Sequence, residues 1–123
     1  MANILIVDDE PEILRLLRKV LERRGHTVLD AGDGKAAARI LPTAQVDLVL
    51  TDIFMPEVDG FEFIGTVKKA LPGVPIVAMS GGGVMPKGNV LVTASVLGVE
   101  AILEKPFEVE AVGELVDRLL PAG

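Results

Sequence analysis

The chain has no cysteine, no tryptophan and no tyrosine, and only one histidine and four phenylalanines among its 123 residues. Without cysteine there can be no disulfide, no thiolate metal site and no thiol nucleophile, and the composition fits a reducing compartment. With aromatics at 3%, stacking on bases or sugar rings is not the expected chemistry. Basic residues are short as well. Twelve Lys and Arg stand against 18 Asp and Glu, a formal charge of −6 and a pI near 4.7. That balance argues against direct work on DNA or RNA, because phosphate contacts need a basic face. Long apolar runs are missing too: none approaches the ~20 residues of a membrane span. No charged segment followed by a hydrophobic stretch opens the chain as in a signal peptide. A cytoplasmic location is the expectation.

What is present is a chain of one-domain size, 13.0 kDa, half apolar and 24% charged, able to bury roughly two-thirds of its surface on folding. Short β-branched runs alternate with helical stretches. Asn3-Ile4-Leu5-Ile6-Val7 is an apolar run that stops at Asp8-Asp9-Glu10, and Pro11 suits the first turn of a helix. Ile13, Leu14, Leu16, Leu17, Val20 and Leu21 then recur at helical spacing until Arg23-Arg24-Gly25. Further strands are expected at Thr27–Leu29, Val46–Asp52, Pro75–Ser80 and Ala101–Leu103. Further helices are expected at Lys35–Leu41, Phe61–Leu71, roughly Asn89–Leu97, and Val109–Leu120. Five strands alternating with five helices predict an α/β domain: a parallel sheet covered on both faces, with strands that read as continuous apolar runs.

In such a sheet functional residues gather beyond the carboxyl ends of the strands. Asp8 and Asp9 follow the first strand, Asp52 ends the third, Ser80 ends the fourth and Lys105 follows the fifth. Three uncompensated carboxylates would repel and raise one another's pKa. A hard divalent cation such as Mg²⁺ resolves that conflict, since it favours carboxylates, carbonyls and water. Lys105 and the Ser80 hydroxyl would add donors on the opposite side, completing a site for phosphoryl oxygens. Each residue alone has a plainer account: strand-end acids cap helices, Lys-Pro is a solvated turn, and Ser-Gly-Gly-Gly is a loop. Their joint order is what points to a site.

Val7-Asp8-Asp9-Glu10-Pro11, Asp52-Ile53-Phe54-Met55-Pro56 with Asp59-Gly60, Ser80-Gly81 and Lys105-Pro106-Phe107 resemble the receiver domain of two-component response regulators. The resemblance spans residues 1–123 as a single receiver with no output domain. It implies a flavodoxin-like (βα)5 three-layer sandwich with strand order 2-1-3-4-5. It also implies that Asp52 accepts a phosphoryl group from a sensor histidine kinase or a histidine phosphotransfer protein. Mg²⁺ would be bound directly by Asp9, Asp52 and the backbone carbonyl of Phe54, with Asp8 acting mainly through water. Lys105 and Ser80 would hold the phosphoryl oxygens, Gly81 would leave space beside them, and Pro106 would follow a cis peptide bond. Such a protein catalyses its own phosphorylation and dephosphorylation and is not a conventional turnover enzyme. Its output would be protein contacts through the fourth predicted helix, the fifth strand and the last helix, with a phosphorylation-dependent homodimer among the partners to consider.

The chain departs from the family pattern in places. Ile102 stands where the family usually carries a Tyr or Phe that swings inward, so Ser80 and Ile102 are the expected switch pair without an aromatic ring. Phe54 lies two residues after Asp52 and suggests slow hydrolysis of the phosphoaspartate; it also occupies the position where a dehalogenase-type phosphatase needs a second Asp. Gly83 and Gly88 have P-loop spacing, but Asn89 replaces the required Lys. Between Lys87 and Glu100 no residue is charged, which marks Leu91 and Val92 as candidate interface residues, or simply as residues of a deeper helix. His26 opens a strand and reads as structural. The rival functional reading is a phosphorylation-independent pseudo-receiver.

Overall fold

Apolar side chains in the first strand part to two sides of the sheet, and this division organises the molecule. The computed structural model describes residues 2–53, 60–80 and 98–120, with the side chains of Gly60 and Phe61 left aside. Ile4 and Ile6 join one buried cluster, with Leu17, Val20, Leu21, Leu48, Leu50, Val77, Met79, Val112 and Val116. Leu5 and Val7 join the other, with Ala37, Val49, Ile53, Phe63, Ile64, Val67, Ala78 and Ile102. Alternate residues of a strand face opposite ways, so a run apolar at every position must be covered twice.

The strands are β1 (Asn3–Val7), β2 (Thr27–Ala31), β3 (Leu48–Asp52), β4 (Ile76–Ser80) and β5 (Ala101–Glu104), and the helices α1 (Pro11–Arg23), α2 (Gly34–Ile40) and α3 (Gly60–Ala70) precede a C-terminal helix (Val109–Leu119). All pairings are parallel and the order is β2-β1-β3-β4-β5, the flavodoxin-like arrangement expected. The fourth predicted helix, roughly Asn89–Leu97, lies outside the described residues.

Local chemistry explains the boundaries. Pro11 sits in the first turn of α1, where its missing N–H costs nothing, and Gly25 takes φ +92° just past the helix end, a conformation side chains resist. The strand expected at Thr27–Leu29 continues to Ala31, because Asp30 and Ala31 pair with Ile6 and Val7. The helix expected from Lys35 starts at Gly34, since the Asp33 carboxylate accepts from the Ala36 N–H at 2.7 Å as its N-cap. β3 begins at Leu48 rather than Val46; the Asp47 carboxylate instead accepts from the Asn3 N–H at 2.8 Å.

Candidate functional site

Strand register brings the acids together. Val7 pairs with Thr51, so Asp8, one residue on, stands level with Asp52. Asp8 leaves β1 fully buried, with its own N–H donating to the Ala31 carbonyl at 3.1 Å. Its Oδ1 accepts from the Glu10 N–H at 2.8 Å, which turns the chain into α1. Asp52 is nearly as buried, at 5% exposure. The Ile53 N–H donates to the Met79 carbonyl at 2.9 Å, carrying the sheet ladder one residue past Asp52. On the far strand the Lys105 N–H donates to the Ser80 carbonyl at 2.7 Å, and the Lys105–Pro106 peptide is cis, as the resemblance implies.

Lys105 then reaches back over two strands. Its Nζ lies 2.7 Å from Asp8 Oδ2, 2.9 Å from Glu10 Oε2 and 3.3 Å from Asp52 Oδ2. Partial burial favours the neutral amine, but the hydrogen bonds it donates to Asp8 and Glu10, and the charges of Asp8 and Asp52, outweigh it and raise the lysine pKa far above its ordinary value. For Asp8 the balance tips the other way. Loss of solvent raises its pKa, with the Asp52 charge adding to that, and the bonds from Lys105 and from the Glu10 N–H only partly compensate. Among the described residues, four acids, Asp8, Asp9, Glu10 and Asp52, gather around one lysine here.

Carboxylate oxygens of Asp8, Asp9 and Glu10 lie within 4.8 Å of one another, beside Asp52. All-oxygen, net negative surroundings of this kind suit a hard divalent cation such as Mg²⁺, with the exposed Glu10 turned to Lys105. Ser80 supplies a second sign of an unfinished site: its Oγ is fully buried and has no hydrogen-bond partner among the described residues. A buried hydroxyl left so costs about 1–3 kcal/mol relative to a satisfied one.

Of the residues singled out in the sequence, Asp8, Asp52 and Lys105 meet directly, and Asp9 lies alongside. Ser80 touches none of their side chains among the described contacts. Strand parity accounts for this: Ile76 and Ala78 face one cluster and Val77 and Met79 the other, placing Ser80 on the α2–α3 side. Leu48 and Leu50 place Asp52 on the α1 side. Ile102 pairs with Ala78 across the β4–β5 ladder and is buried in the α2–α3 core. Phe54, Gly81, Leu91 and Val92 lie outside the described residues. Glu10 also meets Lys105, and its only signal in the sequence is its place as the third acid of Asp8-Asp9-Glu10. His26 is held in a cluster at the other end of the sheet. Its Nδ1 accepts from the Ala2 N–H at 3.2 Å and its Nε2 lies 2.7 Å from Asp117 Oδ1, as its structural reading requires.

A 2-1-3-4-5 parallel sheet with acids at the exits of β1 and β3 and a lysine at the exit of β5 defines a flavodoxin-like domain of the receiver class. Residues 4–117 match the response regulator receiver domain family, and the chain belongs to that family. It is 34% identical over 119 residues to the transcriptional regulatory protein GlrR of Escherichia coli (strain K12), covering 97% of this chain but 26% of that protein. The chain thus spans about a quarter of that relative's length. Its fold superposes on chemotaxis protein CheY4 of Vibrio cholerae with a TM-score of 0.85 at 29% identity, covering 98% and 99% of the two chains. Response regulator protein TrrA of Thermotoga maritima, solved in complex with Mg²⁺-BeF, gives a TM-score of 0.81 at 29% identity over 98% and 100% of the chains. No helix among the described residues is long and apolar enough to cross a membrane.

Proposed function

We propose that this domain is a phosphorylation-controlled switch in which Asp52 accepts a phosphoryl group from a phosphohistidine of a sensor histidine kinase or phosphotransfer protein. The observation that carries the reading is the convergence of Lys105 Nζ on both Asp8 and Asp52 at the sheet edge where β4 ends on Ser80, whose buried hydroxyl has no partner among the described residues. A carboxylate oxygen of Asp52 attacks phosphorus; the new O–P bond forms as the P–N bond to the donor imidazole breaks, and the departing nitrogen takes a proton. Catalysis of such a transfer is mainly alignment and charge stabilisation. Lys105 orients the acceptor and then neutralises phosphoryl oxygens. Ser80 donates its idle O–H to one of them.

Mg²⁺ would be held by Asp9, Asp52 and, as the resemblance implies, the Phe54 carbonyl, with Asp8 acting through water, and would neutralise charge on the transferring group. The phosphate adds close to two negative charges and strong acceptors, which draws Ser80 and Lys105 toward it. Ile102, beside Ser80's strand, provides an aliphatic rather than aromatic inward step. A downstream protein or a second copy would read the change through the uncharged segment that carries Leu91 and Val92. The same reading carries the cytoplasmic location expected from the sequence.

The test is intact mass after incubation with acetyl phosphate and Mg²⁺. A gain of one phosphoryl group is expected, dependent on Mg²⁺ and absent from Asp52→Asn. No gain in folded protein would overturn the reading and favour a phosphorylation-independent interaction module.

A further inference from the structure

Lys105 has three N–H donors, and three carboxylates take them: Asp8 at 2.7 Å, Glu10 at 2.9 Å and Asp52 at 3.3 Å. If Asp52 takes up a phosphoryl group, the donor it holds at 3.3 Å passes to the new oxygens, and a second N–H can follow only if Asp8 or Glu10 lets go. Asp8 is poorly placed to let go. It is fully buried and locked by its second oxygen to the Glu10 N–H, so losing its lysine would strand a desolvated charge. Glu10 differs in kind. Its side chain is 59% exposed, water can replace the lysine at once, and an exposed pair of this sort is weakly held.

We propose that Glu10 is a positioning residue that keeps one Lys105 N–H in reserve and is displaced by the incoming phosphoryl group. This rests on the receiver reading above and adds to it a local brake. Glu10 competes with the phosphoryl group for the ammonium, and its negative charge opposes the approach of an anionic donor. Both effects weaken engagement of the donor; in the reading above Asp9 and Asp52 would hold Mg²⁺ directly, and Glu10 adds only its charge.

The experiment follows phosphoryl gain by intact mass against acetyl phosphate concentration at saturating Mg²⁺, for the natural protein, Glu10→Gln, Glu10→Ala and Asp52→Asn. Mg²⁺ affinity is measured separately without phosphodonor, and thermal unfolding checks that each variant is folded. Both Glu10 variants should lower the half-saturating acetyl phosphate concentration about two- to five-fold, the range open to an exposed ion pair. Maximal rate should stay within about two-fold, a split that a merely structural role would not produce, and Mg²⁺ affinity should weaken by less than about ten-fold, as loss of a neighbouring charge and not of a ligand requires. Unchanged half-saturation would reduce the Glu10–Lys105 contact to a surface ion pair and overturn the proposal. A loss of Mg²⁺ affinity of about ten-fold or more would overturn it differently, by making Glu10 a metal ligand. If the natural protein itself gains no phosphoryl group, the receiver reading falls and this inference with it; a gain with unaltered Glu10 variants removes the inference alone.

Discussion

Two clusters of charge sit at opposite ends of the same sheet, and they are built on different terms. At the amino ends of the strands, Asp117 gives one oxygen to His26 Nε2 and the other to Arg24 Nη1, at 2.7 and 2.6 Å. Arg24 also meets Glu110 at 3.5 Å, and its guanidinium lies so close over Gly113 that a Cβ there would collide with it. Each polar group has its own partner, and the cluster fastens the C-terminal helix to the turn between α1 and β2. At the carboxyl ends, among the described residues, one ammonium serves Asp8, Glu10 and Asp52, with Asp9 nearby and the Ser80 hydroxyl without a partner. One cluster is closed and stabilising. The other is over-acidic and under-satisfied, the pattern of a site shaped for something that arrives from outside.

This contrast predicts opposite signs for similar substitutions. Asp52→Asn removes a charge from the crowded end and should raise the thermal midpoint of metal-free protein by roughly 4 °C, about 1 kcal/mol. Millimolar Mg²⁺ should stabilise the natural protein by mass action and the variant much less. A lower midpoint for Asp52→Asn without metal would break the comparison.

Asp117→Asn removes the hub of the closed cluster and should destabilise by about 1 kcal/mol at most, because the carboxylate is 41% exposed and screened. Its hydrogen bond to His26, helped by Arg24 and opposed by slight burial, holds the Asp117 carboxyl below its ordinary 3.8. A depressed folded-state pKa means the stabilisation is full above the unfolded value and disappears as pH falls through the folded one. The gap between natural protein and Asp117→Asn should therefore be steady above about pH 5 and close in acid. Denaturant midpoints taken from pH 7 down to pH 3 would show this, and a gap that persists at the acid end would refute it.

The smallest effect is expected at the exposed trio of Arg18, Glu22 and Asp30, with contacts of 3.0 and 2.6 Å. Its good geometry sits in water, so Arg18→Met should change stability by less than about 0.5 kcal/mol, and less still at high salt. A larger change in urea unfolding would mean that charge networks matter here regardless of burial.

Much of the fold is legible in the strands. Ile4-Leu5-Ile6-Val7 and Leu48-Val49-Leu50 are apolar at successive positions, a pattern that only a doubly covered strand satisfies. The acids ending those runs mark the functional edge. Boundaries were less legible, because Asp33 and Asp47 act through side-chain bonds to Ala36 and Asn3, and a sequence does not display its hydrogen bonds. Glu10 was hidden for a related reason. As an acid at the start of a helix it has an ordinary account, and nothing in the chain announces that Lys105 lies across from it.

The sequence by itself determined the order of elements, the two-sided burial of the sheet and the acidic character of its carboxyl edge, since each follows from local pattern and composition. Which groups meet was decided by tertiary structure alone. Val7 must pair with Thr51 before Asp8 and Asp52 stand level, and β5 must dock beside β4 before Lys105 can bridge to Asp8, 97 residues away in the chain. Strand parity then sends Ser80 to the other side of the sheet. Register and parity are properties of paired strands, and they exist only once distant segments have been brought together.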